Sequence, residues 1–142
     1  MVDASVIAAK LGELDERIGR VRLHRPAAAE ALRDDLDARD LVSFNLMLAV
    51  QSCLDVASHL IADEGWKPAA SLAESFRRLA EHGVVSSQVA DRLGKAAGLR
   101  HVVAHGYAGA EVDKIFAGAT SGLTDLERFA SEVAAWLRSR TG

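Results

Sequence analysis

The stretch LVSFNLMLAV at residues 41–50 is apolar on almost every side when it is wound into a helix. A helix that is hydrophobic all round must be buried against neighbours on several faces. Pro26 suits the first position of such a helix, and Gly65 follows its predicted end at about Glu64. A break near Arg39 stays open within this span. The pattern therefore predicts one long, buried helix at the centre of the fold.

Four further helices are predicted around this central helix, because apolar residues recur at spacings of three and four. Their boundaries are marked by residues that end or cap helices, namely His24-Arg25, His82-Gly83 and Ser86 or Ser87. Their inward faces are Ile7, Leu11, Leu14, Ile18 and Val21; Leu72, Phe76 and Leu79; Val89, Leu93, Ala96 and Val103; and Val112, Ile115, Ala119, Leu123, Leu126, Ala130, Val133 and Leu137. No segment alternates as a strand does, and no long period repeats. We predict an all-α, up-and-down bundle of about five helices, with residues 1–142 forming a single domain.

The composition is that of a helical protein of the cytoplasm. Of the 142 residues, 49% are hydrophobic but only 5% are aromatic, so the core must be built mainly from Leu, Val, Ile and Ala. No apolar run approaches the roughly 20 residues that span a bilayer, and the N-terminus lacks the layout of a secretion signal. The single cysteine, Cys53, excludes an internal disulfide and suits a small core position. We therefore expect a cytoplasmic protein that does not enter a membrane.

The net charge of −3 disfavours non-specific, charge-driven binding to nucleic acid. It leaves room for a local basic pocket, so any role with RNA must rest on a few placed cations, or on two subunits that pool theirs. Arg92, Lys95 and the Arg77-Arg78 pair could flank an RNA groove. The alternative for the same residues is an ordinary solvated polar face.

Arg100 is the first residue whose position suggests chemistry. It follows Ala96 by four residues and precedes Val103 by three, so it falls on or beside the inward stripe of the fourth predicted helix. A charged side chain there is costly to bury unless it is paired. It needs an acidic partner, a subunit interface or an anionic ligand; otherwise it is an edge arginine whose charge reaches solvent. Asp55 on the central helix is a candidate partner, and it could alternatively orient a histidine or lie solvated at the helix edge.

His105 and Tyr107 flank Gly106, which is expected to end the fourth helix. Five residues of an ideal helix turn through roughly 140°, so Arg100 and His105 of one chain do not point the same way. They converge if the helix frays at Gly106, or if a second subunit brings its own copy alongside. A histidine that titrates near neutral pH and an arginine that matches a phosphate could activate the 2′-hydroxyl of RNA and stabilise the phosphorane, with no metal required.

Residues 100–107, RHVVAHGY, resemble the R-x4-H-x-Y signature of HepT-like toxins in the HEPN superfamily. The resemblance covers about residues 28–138 and takes in the long central helix, the motif helix and the closing helix. Its further marks are Asp55 and His59, Gly65-Trp66-Lys67-Pro68, Glu74-Ser75-Phe76 with Leu79, Gly83-Val84-Val85, and Leu123-Thr124-Asp125-Leu126.

The resemblance implies a homodimeric helical protein whose two motif copies face each other across the subunit interface. It implies a metal-independent endoribonuclease that cleaves an RNA substrate, tRNA or mRNA, without a cofactor. The partner would be an MNT-type nucleotidyltransferase that acts as the antitoxin. Arg100 and His105 would be the catalytic pair, and Tyr107 the residue that the antitoxin neutralises by adding AMP, since the added bulk and negative charge would oppose an RNA phosphate.

His101 departs from the family pattern, because many relatives carry Asn directly after the motif arginine. Neutral histidine donates and accepts hydrogen bonds as Asn does, so activity can survive, but substrate choice and rate are put in question. His101 and His105 also form an i, i+4 pair that could bind a metal, although no HEXXH pattern accompanies it. His59 on the central helix either joins the site or simply finishes the helix surface.

Two other functions fit the same residues. A non-catalytic HEPN domain could bind a nucleotide or dock onto a nucleotidyltransferase without cutting RNA; the histidine at position 101 and the acidic balance of the chain favour this alternative. A purely structural bundle would tolerate replacement of Arg100, His105 and Tyr107 with no consequence beyond stability.

Overall fold

A computed structural model of the chain describes residues 2–100 and 109–141, and all regular structure within them is helical. The helices are α1 (Ala4–His24), α2 (Ala29–Asp34), α3 (Leu36–Glu64), α4 (Leu72–Glu81), α5 (Ser87–Ala96), α6 (Gly109–Ala119) and α7 (Ser121–Thr141). The all-α prediction is confirmed. The described residues form seven helices where about five were predicted, because two of the predicted helices are split.

Helix α1 ends where the sequence predicts, at His24-Arg25, and Asp3 caps its start. The Asp3 carboxylate accepts hydrogen bonds from the backbone N–H groups of Ser5 and Val6, which would otherwise be unsatisfied at a helix start. Arg25 is extended, as the residue before a proline tends to be. The buried residues of α1 belong to the predicted apolar stripe: Ile7, Leu14, Ile18 and Val21.

The predicted single helix from Pro26 to Glu64 is wrong at its N-terminal end, because the chain breaks at Asp35. Asp35 is extended, with φ −106° and ψ 99°, and its carboxylate accepts a hydrogen bond of 3.1 Å from the N–H of Ala38. An aspartate that caps a new helix in this way competes with continuation of the old one. The break therefore lies four residues before Arg39, where the sequence left one open.

Helix α3 is the long, buried central helix that the apolar stretch predicts. Thirteen of its 29 residues are buried, and Gly65 ends it in the left-handed conformation at φ 68°. By length and mean hydropathy α3 could cross a bilayer, although no long uninterrupted apolar run marks it in the sequence. Since 61% of its most apolar window is buried inside the described protein, α3 is the core helix of this bundle.

Helices α4 and α5 form a hairpin that packs on α3 through α4 and on α7 through α5. Ser71 and Ser86 cap the two helices, and Gly83 turns the chain between them at φ 74°. A Cβ at Gly94 would lie 3.3 Å from the Cβ of Ala73, so this glycine serves close packing of α5 on α4 within the chain. Phe76 of α4 then meets Phe129 of α7 edge to face, with ring centroids 5.9 Å apart.

The fourth predicted helix, expected to run through Arg100 to Val103, is interrupted earlier. Helix α5 ends at Ala96, a turn follows at residues 97–98, and Leu99 and Arg100 are helical again. Gly98 lies in this turn, where a glycine weakens a helix. Val103 lies outside the described residues.

The closing helix, predicted as one element of about seven turns, is split at Thr120. The Thr120 hydroxyl donates to the carbonyl of Phe116 at 2.9 Å, and Ser121 donates to the carbonyl of Ala117 at 3.3 Å. Such back-bonding competes with the helix ladder, and Gly118 and Gly122 on either side weaken it further. The apolar stripe nevertheless continues across the break, since Val112, Ile115, Ala119, Leu123, Leu126 and Val133 are all buried.

Charged contacts define how the helices run. Lys10 of α1 lies near Asp55 of α3, and Arg17 donates to Asn45 of α3, so α1 and α3 are antiparallel. Arg140 near the end of α7 pairs with Glu64 at the end of α3, which makes α7 parallel to α3. The arrangement is the predicted up-and-down bundle.

Candidate functional site

Arg100 is the first residue of the R-x4-H-x-Y motif and the only one of its three fixed residues that the structure describes. Its side chain is half-buried, and its backbone N–H donates to the carbonyl of Ala97 at 3.3 Å. Within residues 2–100 and 109–141 its guanidinium makes no ion pair. Because a partly buried charge needs compensation, this position favours a subunit interface or an anionic ligand over a structural ion pair.

Asp55 has partners other than Arg100. Its carboxylate lies 3.6 Å from the ammonium of Lys10 and accepts a hydrogen bond of 2.9 Å from the amide of Gln51. Leu99 packs beside Gly118 near Leu46, which places the start of the motif segment level with Leu46 on α3. Asp55 lies nine residues further along α3, or about 14 Å at the rise of an α-helix. The structure therefore does not pair Asp55 with Arg100 within one chain.

His59 lies still further from Arg100 along the same helix. It is exposed and follows Leu46 by thirteen residues, or about 20 Å. It interacts electrostatically with Asp3, the cap of α1. The pKa of Asp3 lies below its ordinary value chiefly because the Ser5 hydroxyl donates to it, with the charge of His59 a smaller cause. His59 thus faces the end of the bundle where α1 begins, and its predicted supporting role stays a prediction.

His101, His105 and Tyr107 lie outside the described residues. The geometry of the predicted catalytic pair, the possible metal pair and the predicted AMP-accepting tyrosine therefore stay predictions. Within the described residues no group of three or more His, Cys, Asp or Glu side chains is placed to hold a metal ion.

A cleft of about 520 Å³, lined on one side by Leu99, opens where α5, α6 and the start of α7 meet. Its charged lining residues are Arg92, Lys95, Lys114 and Asp125, and its wall is formed by small or apolar residues, among them Ala96, Leu99, Ala117 and Gly118. Arg92 and Lys95 were predicted candidates for an RNA groove. Lys114 carried no sequence signal, because it is one exposed lysine on a helix and the cleft is assembled from three separate segments.

The Arg77-Arg78 pair divides into two roles. Arg77 is exposed, whereas Arg78 is only 7% exposed. Arg78 donates to the carbonyl of Lys67 at 2.8 Å and to the carboxylates of Glu74 and Glu81, each at 2.8 Å. Arg78 therefore fastens the α3–α4 connection and is wrong as an RNA-groove residue. Glutamates four residues before and three after it are the sequence signal that could have revealed this role.

Cys53 is a core residue, as predicted. It is fully buried in α3, and burial raises the pKa of its thiol well above the ordinary value. A thiol held protonated and shielded from solvent is a poor nucleophile or metal ligand.

The N-terminal half of α3 leaves an apolar stripe without cover from the described residues. Phe44 is 51% exposed and Leu41 is 37% exposed, with Met47 and Leu48 half-buried beside them. Spacings of three and four place Leu41, Phe44 and Leu48 on one side of the helix. We call these four residues the α3 stripe.

The described residues thus combine an all-α bundle, a long central helix, an Arg100 without an ion pair and a basic cleft lined by Leu99. Residues 14–133 match the family described as Ribonuclease HepT-like. The chain belongs to this family, and the predicted class, a HEPN ribonuclease of the toxin–antitoxin kind, is confirmed.

Individual relatives agree with the assignment. The mRNA nuclease HepT of Shewanella oneidensis is 28% identical over 97 residues, which are 68% of this chain and 73% of that protein. A tri-AMPylated Shewanella oneidensis HEPN toxin, solved in complex with MNT antitoxin, superposes with a TM-score of 0.83 at 25% identity, covering 95% of this chain and 99% of that one. A toxin–antitoxin solved with AMP-PNP gives a TM-score of 0.85 at 24% identity, covering 92% of this chain and 98% of that one.

Proposed function

We propose that this chain is the toxin of a two-protein toxin–antitoxin pair, a cytoplasmic endoribonuclease that cuts RNA without a metal through Arg100 and His105. The observation that carries the proposal is the half-buried Arg100, which has no ion-pair partner among the described residues and opens the R-x4-H-x-Y motif. An RNA phosphate supplies the anion that this guanidinium lacks, and its two acceptor oxygens match the arginine fork.

The chemistry is an in-line displacement at phosphorus. His105 takes the proton of the ribose 2′-hydroxyl, the 2′-oxygen attacks the adjacent phosphorus, and the bond from phosphorus to the 5′-oxygen breaks. The leaving 5′-oxygen takes up a proton, so a 2′,3′-cyclic phosphate and a 5′-hydroxyl end are formed. Arg100 stabilises the negative charge that grows on the phosphorane oxygens. A side chain with a pKa near neutrality suits this proton transfer.

A second copy of the chain supplies the dimer that the site needs. The α3 stripe exposes apolar side chains that a monomer would leave in water. A two-fold axis brings one patch onto its own copy, so a self-complementary stripe suits a homodimer. The roughly 140° between Arg100 and His105 on a regular helix also favours a site to which both subunits contribute.

An MNT-type nucleotidyltransferase is the proposed antitoxin, and Tyr107 the residue it modifies. The Shewanella oneidensis HEPN toxin is tri-AMPylated in its complex with MNT antitoxin. Tyr107 is the only tyrosine of this chain. Each added AMP would bring a phosphate next to the site, where its negative charge would oppose an incoming RNA phosphate.

The proposal is tested by RNA cleavage in EDTA. Three proteins are incubated with tRNA and with mRNA. All carry Tyr107→Phe, which prevents the modification, and two of them carry Arg100→Ala or His105→Ala as a second substitution. We expect cutting that both added substitutions abolish, with cyclic phosphate ends on the products. Arg20→Ala, which removes an exposed arginine on α1, is the matched control and should cut normally. Equal cutting by all variants would refute the nuclease.

A further inference from the structure

The cleft that Leu99 lines, one residue before Arg100 in the sequence, is locally basic in a chain whose net charge is −3. Three of the four charged residues that line it are cationic: Arg92, Lys95 and Lys114, against the single acid Asp125. Its volume of about 520 Å³ is in the range of small-ligand sites, which run from roughly 300 to 1,000 Å³. A positive spot on an acidic surface concentrates anions that the rest of the molecule repels.

The three cations are not equally available to a ligand. The Nε of Arg92 donates to Asp125 at 2.8 Å, which ties α5 to α7. Lys95 lies 3.4 Å from Asp91, in an exposed and therefore weak pair. Lys114 is exposed and makes no ion pair within the described part of the chain. An anion can therefore bind to Lys114 without breaking an ion pair among the described residues.

Small apolar residues form one side of the cleft. A Cβ at Gly118 would lie 2.8 Å from the Cδ2 of Leu46 and 3.0 Å from the Cδ1 of Leu99, so a glycine is what lets α6 approach these residues. Together with Ala96 and Ala117, Gly118 presents methyl groups and backbone to the cleft. A wall without long side chains suits the face of a planar ring, and the cations at its edge suit a phosphate.

We propose that this cleft binds one nucleotide of the RNA strand beside the bond that is cut, with a phosphate on Lys114 and Lys95 and the base against Ala117 and Gly118. The inference rests on the proposed nuclease function. Leu99 lines the cleft and Arg100 follows it, with Cα atoms about 3.8 Å apart. The proposal accordingly places the neighbouring phosphate of a strand seated in the cleft at Arg100. A free mononucleotide such as AMP offers the same chemistry, and the experiment separates the two sources.

The test measures binding of a labelled single-stranded RNA to the full chain carrying His105→Ala, in EDTA, by fluorescence anisotropy at several salt concentrations. Adding Lys114→Gln should raise Kd about fourfold at 0.15 M salt, and should make the slope of log K against log salt less negative by about 0.7, the value for one lost phosphate contact on a single strand. Lys67→Gln, at an exposed lysine on the α3–α4 connection, is the matched control and should change neither quantity.

A second variant tests the wall of the cleft. Ala117 is exposed and lines the cleft, so Ala117→Trp should fill it, raise Kd by at least as much as Lys114→Gln, and leave the thermal midpoint unchanged. Competition by AMP that disappears in Ala117→Trp would assign the cleft to a free mononucleotide as well as to RNA. Lack of competition would assign it to the RNA chain alone.

The inference is overturned if Lys114→Gln behaves as Lys67→Gln does and Ala117→Trp binds RNA normally. Its failure is distinguishable from that of the proposed function. If the chain cuts RNA and both cleft variants keep the parent KM, the proposed nuclease function stands and the proposed role of the cleft is refuted. If the chain binds RNA through the cleft but cuts none, the proposed nuclease function is refuted and the cleft remains a nucleotide-binding site.

Discussion

Arg78 and Arg100 are held in opposite ways, and the difference separates the scaffold from the site. Arg78 is almost fully buried and donates to the Lys67 carbonyl and to two glutamates. Arg100 is half-buried and makes no ion pair with any residue in 2–100 or 109–141. A buried arginine with a complete set of acceptors holds the fold together, whereas an arginine without them has its charge available to something outside the subunit.

Helix α3 repeats the same contrast along its length. Its C-terminal half is covered by α1 and α4, and residues 52–54, 56–57 and 60–61 are all buried. Its N-terminal half exposes Phe44 and Leu41 in the α3 stripe. The covered half maintains the bundle, and the open half is the surface on which a second copy can pack.

The largest effect is expected from Arg100→Ala. Loss of a charge that stabilises the phosphorane should lower kcat by roughly 10²–10³-fold. The thermal midpoint should stay within about 2 °C of the parent, because no internal partner is left unpaired. Cleavage kinetics and thermal unfolding of the same preparation check both halves. If Arg100→Ala lowers the thermal midpoint as much as an Arg78 variant does, Arg100 also stabilises the fold and the proposed difference between the two arginines is wrong.

Breaking the α3 stripe should come next. Phe44→Glu places a charge where a second copy would bury an aromatic ring, so the dimer dissociation constant should rise at least about tenfold. Sedimentation velocity over a concentration series measures it. Leu72→Glu, at an exposed leucine of α4 that is 41% accessible, is the matched control and should leave self-association unchanged. Equal dimers of the parent and Phe44→Glu would show that the stripe is not the interface.

Arg78→Met should lower stability and spare the chemistry. The substitution leaves the Lys67 carbonyl and the carboxylates of Glu74 and Glu81 without their donor, so the thermal midpoint should fall by roughly 5–10 °C. At a temperature well below unfolding, kcat should stay within about twofold of the parent. Arg77→Met removes the exposed neighbouring arginine and should leave the midpoint nearly unchanged. If the two variants lose equal stability, burial of Arg78 is not what matters.

The smallest effect is a pH dependence at Glu74. Its pKa is lowered in the folded chain, chiefly because the N–H of Ala70 donates to its carboxylate at 2.9 Å and secondarily by Arg78. A lowered folded pKa contributes stability above the unfolded value of 4.5, and that contribution is lost as pH falls through the folded pKa. The urea midpoint of unfolding should therefore be higher for the parent than for Glu74→Gln at pH 7, and the difference between the two midpoints should shrink below pH 4.5.

The pH series has its own control. Glu16→Gln removes an exposed carboxylate of α1, and its stability difference from the parent should vary little across the same series. If the stability difference between the parent and Glu74→Gln stays constant from pH 7 to below the folded pKa of Glu74, the ionised carboxylate does not contribute to stability.

Sequence patterns predicted the helices wherever the signal was local. Gly65, His82-Gly83 and Ser86 mark helix ends by their own side chains or backbone freedom, and the structure places the ends there. The break at Thr120 was missed and the one at Asp35 was only left open, near Arg39, because each depends on a side chain competing for backbone groups that a continuous helix would also satisfy. The apolar stripe runs on across Thr120, so periodicity could not reveal that break.

By itself the sequence determined the all-α class, the central helix and the R-x4-H-x-Y motif that the HepT-like family carries, since these depend on periodicity, caps and residue identity at fixed spacing. Only the tertiary structure decided that Arg78 is a scaffold residue, that Asp55 pairs with Lys10, and that Lys114 joins Arg92 and Lys95 around one cleft. The reason is physical: burial and charge compensation depend on which distant segments meet, and spacing along one helix does not contain that information.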